Sequence, residues 1–561
     1  MRRAPRPDIL FPPNPDGMFR IYFLLPLLIP LAFLKGNFAE GLFRPLERFV
    51  EWLAGKPARA VALVAVVSFA ICAGLSLGSG IPVPQVADEF GYLLQGDTFA
   101  HGRVTNPTPA LWQHFETIHE IMQPTYTAKY PPGQGMALAL GEVLGAPIIG
   151  VWISTALACA AMCWMLLAWV PARWALVGGL MAAFHPQVIE WSQTYWGGAV
   201  AMGGGALALG AFRRILREPR VMDAVWMGAG LAAMANTRPF EGLVFSVLLA
   251  GAFLFLWIRE GRIPFSTMAR RVFIPLGVAM LLLVAEQCFY NWRVTGRATV
   301  MPYMVHERTY ALAPQFIFAK PWPMPAYRHW DIRALHENYL RYYKSQVRSV
   351  GALVRAEIDK VGTMAQAYLW SWLLVVALLG LPRALKRDGM LRILVLIGVI
   401  FAVAQLLETW AFSHYAAPVV GLFFVLVLES MRSLWDWRIG ARRPGMNVLR
   451  GLAILFALSF VQLAEKMTTA DKARWFYQRE AILEKLRGEP WNSVVFVKYD
   501  PDHNPHREWI YNEADLPDAK VIIAQDMGPK NQELLDYYRG RKAWVVHADA
   551  AKPELEPYPG S

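Results

Sequence analysis

The chain alternates long apolar blocks with short polar joints. Apolar blocks lie near 59–79, 147–169, 173–190, 196–212, 221–236, 240–258, 272–290, 365–382, 391–408, 414–431 and 449–465. At 1.5 Å per residue, about 20 apolar residues cross a hydrocarbon layer roughly 30 Å thick. The pattern therefore predicts a polytopic α-helical membrane protein with about 11 transmembrane helices. Ile21–Leu34 is apolar but too short by the same arithmetic, and it reads as an interfacial or re-entrant piece. Residues 1–20 are Pro-rich and read as disordered, and Arg44–Arg59 is basic.

The polar joints alternate in charge. Every second one is rich in arginine and lysine: Arg213-Arg214 to Arg220, Arg259 to Arg271, Arg383 to Arg387, and Arg432 to Arg443. Cytoplasmic loops carry that excess. The opposite, outer side then receives a loop over 80–146, Gln187–Tyr195, Asn236–Glu241, a long loop over 291–364, Glu408–His414 and the tail. Asp88, Glu89, Lys129, Arg238, Glu286, Arg293, Glu408 and His414 all fall on this outer face. The expected domains are a cytoplasmic or interfacial segment 1–57, a transmembrane domain 58–466 and a soluble extracytoplasmic domain 467–561. In the tail, Ala470–Leu486 and Asn531–Tyr538 have helical patterns, and Ser493–Tyr499, Lys520–Ala524 and Lys542–His547 read as strands. That alternation predicts a small α/β unit.

Composition agrees with this reading. Of 561 residues, 55% are hydrophobic and 17% charged, against roughly 25% charged in soluble domains. The net charge of +12 sits in short joints between apolar blocks, so it speaks for membrane sidedness and against nucleic acid. Cys72, Cys159, Cys163 and Cys288 all lie in apolar blocks, so packing is expected and disulfides are not. The basic N-terminus precedes no small-residue cleavage site, and no removable signal peptide is expected.

The candidate chemistry starts at Pro84–Tyr92 (PQVADEFGY), where Asp88 and Glu89 follow directly on an apolar block. Acidic residues at the mouth of a membrane span point to function. About forty residues later comes Lys129-Tyr130-Pro131-Pro132-Gly133-Gln134, and then the chain re-enters the membrane. The chain carries no G-x-x-x-x-G-K-[ST], G-x-G-x-x-G or G-x-S-x-G pattern, and His119-Glu120 does not extend to H-E-x-x-H. An enzyme acting outside the cytoplasm without a nucleotide site takes its activated group from a lipid.

At Asp88-Glu89 and Lys129-Tyr-Pro-Pro the chain resembles the GT-C glycosyltransferases, above all protein O-mannosyltransferases and lipid A aminoarabinose transferases. These polytopic enzymes use polyprenyl-phosphate-linked sugars. They carry an acidic pair in the first extracytoplasmic loop, and many have a Lys and a Pro-Pro pair near its end. The resemblance covers about 60–430, mainly as architecture. One departure is Tyr130, which separates Lys129 from the Pro pair.

The resemblance implies transfer of a sugar from a polyprenyl-phosphate donor to a lipid, glycan or protein acceptor at the outer face of the cytoplasmic (inner) membrane. Asp88 is the expected base, because the attacking hydroxyl must lose a proton. Glu89, about 100° round the helix, is expected to orient the acceptor or bind sugar hydroxyls. Lys129 and Arg238 are expected at the donor phosphate, although Arg238 reads equally as an interfacial anchor. A hydroxyl activated by a single carboxylate base and attacking opposite a leaving phosphate implies inversion. Tyr92, Tyr130, His414 and Tyr415 are candidate substrate-binding residues, with an interfacial His-Tyr pair as the plainer reading of the last two. Tyr303, His306, Tyr310, Trp322, Tyr327, Trp330 and Tyr339 either stack on sugars or form an aromatic belt. No cofactor is required by any motif. A divalent metal has one candidate site, Asp500, Asp502, His503 and His506, which an ordinary turn also explains. Two further readings stand beside the transferase. One is a transporter or flippase whose charges line a pathway, and the other a non-catalytic envelope assembly protein.

Overall fold

The computed structural model describes residues 26, 28–34, 36–368, 371–468 and 473–559. The expectation of disorder over 1–20, and residues 21–25 of the short apolar piece, lie outside the described residues. Leu28–Ala32 forms one short helix, with Leu28 buried against the helix Pro444–Thr468.

Eight helices among the described residues are long and apolar enough to cross a membrane: Pro57–Ser79, Pro147–Leu166, Ala199–Arg217, Pro239–Glu260, Phe265–Thr295, Gly389–Leu406, Ser413–Trp435 and Pro444–Met467. Two shorter apolar helices, Ala172–Ala183 and Val221–Ala235, stand beside these eight, against the expected count of about 11. The block 173–190 breaks into Ala172–Ala183 and Pro186–Ser192, because Pro186 has no amide to continue a helix and His185 caps the second piece. A helix of 12 residues such as Ala172–Ala183 rises only about 18 Å. Val221–Ala235 is also short, and the described residues of the block 365–382 belong to Val350–Tyr368 and Ser371–Arg387, with 369–370 between them outside the described residues.

Pro147–Leu166, Ala199–Arg217 and Ser413–Trp435 form the centre of the bundle, each with 67% of its apolar window buried. Phe265–Thr295 lies at the periphery with 6% buried, and Leu281, Leu282 and Phe289 point outward. The basic joints gather at one end of the bundle, where Arg173 pairs with Glu51 at 3.1 Å and Arg450 with Glu47 at 2.8 Å. The acidic and aromatic segments gather at the other end.

At that second end the first long loop folds into the helix Ala87–Ala100, a two-stranded hairpin (Glu120–Ile121 with Thr127–Ala128) and the helix Pro132–Val143. The second long loop supplies the helices Pro302–Tyr310 and Trp330–Val347. The tail forms a four-stranded sheet in the order Val521–Gln525, Ser493–Lys498, Lys542–His547, Leu555–Pro557. The first three strands are parallel and the last is antiparallel. One face of this sheet packs on the first loop. Val494, Phe496, Ile522 and Ala524 share a core with Leu94, Phe115, Met122 and Tyr126.

Candidate active site

The loop segments enclose one cavity of about 360 Å³ at this end of the bundle. Asp88, Tyr92, Lys129, Tyr130, Arg238, His414 and Tyr415 all line it. So do Glu241, Glu307, Glu408, His119, His306 and His336.

Asp88 stands in the first turn of Ala87–Ala100. The Tyr130 hydroxyl donates to its Oδ1 at 2.7 Å, and His119 Nε2 lies 3.9 Å from its Oδ2. Tyr130 is itself fixed: its ring stacks on Tyr92 at 4.3 Å and its carbonyl accepts from Gln95 at 2.7 Å. Gly91 lets the two segments close, since a Cβ there would sit 3.1 Å from the Tyr130 ring. At the other end of the motif the Gly133 amide donates to the Asn236 carbonyl at 2.7 Å, where a Cβ would meet that oxygen. This contact ties the Pro131-Pro132 turn to the segment that carries Arg238.

Two cations face the cavity in different states. Arg238 is held 3.7 Å from Glu241, with its guanidinium 4.4 Å above the Tyr415 ring. Lys129 is 7% exposed, and its ammonium has no ion-pair partner among the described residues. It lies over the rings of Tyr130 (5.4 Å) and Tyr303 (5.2 Å). Burial pulls its pKa down, while Glu307 and Asp88 pull it back up. An aromatic shelf completes the wall: His414 packs on Trp196 at 4.5 Å and on Tyr415 at 5.1 Å.

No family model and no curated protein matches the chain. Among solved structures, the oligosaccharyltransferase of Archaeoglobus fulgidus in its apo form is similar at a TM-score of 0.50 with 13% identity, over 87% of this chain and 69% of that one. The fold is the GT-C fold. A structure of ArnT from Cupriavidus metallidurans bound to undecaprenyl phosphate is similar at a TM-score of 0.48 with 12% identity, over 87% of this chain and 92% of that one.

On this GT-C scaffold the two adjacent carboxylates part company. Glu89 is 1% exposed and does not line the cavity. It accepts from the amides of Gln85 (2.6 Å), Val86 (3.2 Å) and Tyr195 (2.9 Å). Burial pushes its acid up to about 7 against those three amides. The expectation that Glu89 meets the acceptor or the sugar does not fit this geometry, because its oxygens are committed to the backbone. Glu286 and Arg293 are also absent from the wall. Glu286 accepts from Asn236 at 3.2 Å, and Arg293 is exposed beside Trp292.

The candidate metal group in the tail does not converge. His503 Nδ1 is bound to Asp549 at 2.7 Å, with its ring stacked on Tyr499 at 3.9 Å, whereas His506 packs against Tyr339. Among the described residues no group of three His, Cys, Asp or Glu side chains is placed to hold a metal ion.

The sequence reading missed the tail's part in the site. Tyr511 stacks on Phe90 at 4.0 Å, two residues beyond Asp88, and the Arg479 guanidinium lies 4.7 Å from the same ring. Asp97 accepts from the Ala514 amide at 2.6 Å. The tail thus grips the helix that carries Asp88. It missed His119 and His336 as well. In the sequence His119 stands out only as the start of an incomplete H-E-x-x-H pattern.

Proposed function

We propose that the protein is a membrane glycosyltransferase that moves a sugar from a polyprenyl-phosphate donor to an acceptor hydroxyl on the outer face of the cytoplasmic membrane. The observation that carries this reading is one cavity, in a GT-C fold, faced by both the Asp88 carboxylate and the unpaired ammonium of Lys129.

Asp88 accepts the proton of the acceptor hydroxyl as its oxygen attacks the anomeric carbon. The bond from that carbon to the phosphate oxygen breaks, and polyprenyl phosphate leaves with the electron pair. Lys129 and Arg238 stabilise the charge that gathers on the phosphate, and a buried site makes such fixed charges more effective than water does. Attack opposite the leaving group inverts the anomeric centre. Tyr92, Tyr130, His414 and Tyr415 supply ring faces and hydroxyls to the sugar. A cavity of about 360 Å³ holds a sugar phosphate but not a polyprenyl chain, so the chain runs along the lipid-facing helices. The acceptor is a lipid, glycan or protein hydroxyl, and the tail lies outside the cytoplasm. No step is routed through a metal.

The test is incubation of the detergent-purified protein with radiolabelled polyprenyl-phosphate sugars, with and without EDTA. Release of polyprenyl phosphate by the wild type and its loss in Asp88→Asn, with donor binding retained, is the expected result. If wild type and Asp88→Asn handle every donor alike, the transferase reading fails, and transport assays become the next measurement.

A further inference from the structure

Three buried histidines line the cavity without a task in that chemistry. His119, His306 and His336 are 6%, 2% and 5% exposed. They come from three separate elements: the hairpin of the first loop, the helix Pro302–Tyr310 and the helix Trp330–Val347. Their rings form a contact series. His119 lies 5.8 Å from His306, His306 lies 6.1 Å from His336, His336 lies 5.8 Å from Tyr339, and Tyr339 lies 5.9 Å from His506 on the tail. One end of the series meets Asp88 through His119 Nε2 at 3.9 Å, and the other is half-buried at the edge of the tail.

We propose that His119, His306 and His336 form a proton relay that takes the acceptor's hydroxyl proton from Asp88 and passes it, by way of Tyr339, to His506 and solvent. The proposal rests on the transferase reading and deepens it.

Four observations carry it. First, Asp88 has one oxygen already accepting from Tyr130, so the proton leaves from the other, which faces His119. Second, His119 Nδ1 and His306 Nδ1 are buried with no hydrogen-bond partner among the described residues. A buried polar atom left unpaired costs about 1–3 kcal/mol, and both rings line the cavity that substrate and water enter. Ring centroids near 6 Å leave room for one bridging water at each step. Third, His119 holds a left-handed backbone at φ 66°, a conformation that non-glycine residues adopt rarely and that gathers at functional sites.

Fourth, the electrostatics suit a transient carrier. The charged groups facing the three rings are Asp88, Lys129 and Glu307, and the phenols are Tyr130, Tyr310, Tyr327 and Tyr339. Burial and then Lys129 hold all three imidazoles neutral, with His336 pushed down to about 3. A ring held neutral in this way passes a proton on rather than keeping it. A donor phosphate on Lys129 cancels its charge and makes the imidazoles better bases. The relay is then strongest when substrate is bound.

Each step balances. The hydroxyl O–H bond breaks and Asp88 gains the proton. His119 takes that proton on Nε2 as Nδ1 releases its own towards His306, which restores Asp88. His306 and His336 each gain a proton on one ring nitrogen and release one from the other, and Tyr339 gives its hydroxyl proton to His506 as it gains one. His506 releases a proton to solvent, and each ring then returns to its starting tautomer before the next turnover.

The experiment compares wild type with His119→Gln, His306→Ala and the exposed control His101→Gln. It measures donor binding, steady-state kinetics, the solvent deuterium isotope effect and activity with added imidazole. The expected result for His119→Gln and His306→Ala is unchanged donor affinity, a kcat lower by about tenfold or more, a larger isotope effect and partial rescue by imidazole. Wild-type kcat and isotope effect in both variants overturn the relay. So does a loss that imidazole does not restore, because a structural role loses activity without rescue. A wild type that releases no polyprenyl phosphate from any donor fails the transferase reading itself and is distinguished by that.

Discussion

Glu89 tests whether the adjacent carboxylates have separate roles. Glu89→Ala removes an acceptor shared by three backbone amides and leaves a space where the side chain was 1% exposed. Each amide left unpaired in a buried setting costs about 1–3 kcal/mol, which puts the upper bound near 9 kcal/mol. Gln85 and Val86 are only half-buried, so water replaces part of the loss there and about 3–5 kcal/mol is the working figure. Against a total stability of about 5–15 kcal/mol, that unseats the first turn of the helix or unfolds the protein. Glu89→Gln keeps one acceptor oxygen and the side-chain volume, and it costs about 1–2 kcal/mol. Since burial pushes this acid up to about 7, glutamine also imitates a form that the wild type populates near neutral pH. The assay is thermal unfolding in detergent beside polyprenyl phosphate release for Glu89→Ala, Glu89→Gln and Asp88→Asn. Glu89→Gln is expected to melt earlier while keeping turnover within about tenfold of wild type. Asp88→Asn is expected to melt as the wild type does and to lose turnover by about 10²–10⁴-fold. A Glu89→Gln protein with wild-type melting and no turnover refutes the division of roles.

Lys129→Met removes the unpaired cation, and affinity for polyprenyl phosphate in a binding titration should fall by about 1.5–3 kcal/mol; unchanged affinity rules Lys129 out of the phosphate site. Phe90→Ala deletes the ring between Tyr511 and Arg479, at a cost of about 3–5 kcal/mol, and limited proteolysis should then release the tail; an unaltered digestion pattern shows that the grip lies elsewhere. Glu508 is buried where the tail meets Asp331 of the helix Trp330–Val347, and burial first, then Asp331, pushes its acid above the usual carboxylate range. Its raised folded-state pKa favours the docked tail most fully below the unfolded value of about 4.3, and this contribution is lost as pH rises from there. Glu508→Gln should flatten the pH dependence of tail release between about 4.3 and the folded value of about 8, and an identical pH profile in the variant speaks against this origin.

The hydrophobic pattern located the membrane helices but not their lengths. The break at His185-Pro186 lies inside an apolar block, so composition alone joins two short helices that the missing proline amide separates. Asp88, Lys129, Arg238 and His414 were legible as members of one wall because charge sidedness puts them at one end of the bundle. The tail's strands were legible from β-branched runs such as Lys542–His547, while the edge strand Leu555–Pro557, with two charged or proline positions in three, carries no such signal. What the sequence hid depends on distant contacts. Nothing local says that the Tyr195 amide waits for Glu89, or that Tyr511 and His506 return from the tail to the neighbourhood of Asp88.

Tyr130 joins these observations. Its insertion between Lys129 and the Pro pair departs from the spacing that the GT-C resemblance suggests, and its hydroxyl is the donor that fixes Asp88. An extra residue there turns the lysine and the tyrosine to serve two partners: Lys129 meets the cavity, and Tyr130 meets Asp88. The same logic runs through the facing helix. Successive helical positions point about 100° apart, so Asp88 faces the cavity, Glu89 turns into the backbone that seats it, and Phe90 turns to the tail. One turn of helix thereby couples three bodies: the membrane bundle through Tyr195, the cavity through Asp88 and the soluble tail through Tyr511. If Asp88 is the base, as proposed, being held from three sides costs it little freedom on reaching its reactive position, which is where a fixed geometry lowers a barrier most. On this argument the tail acts on turnover by restraining Asp88, and its removal should lower kcat more than it weakens donor binding.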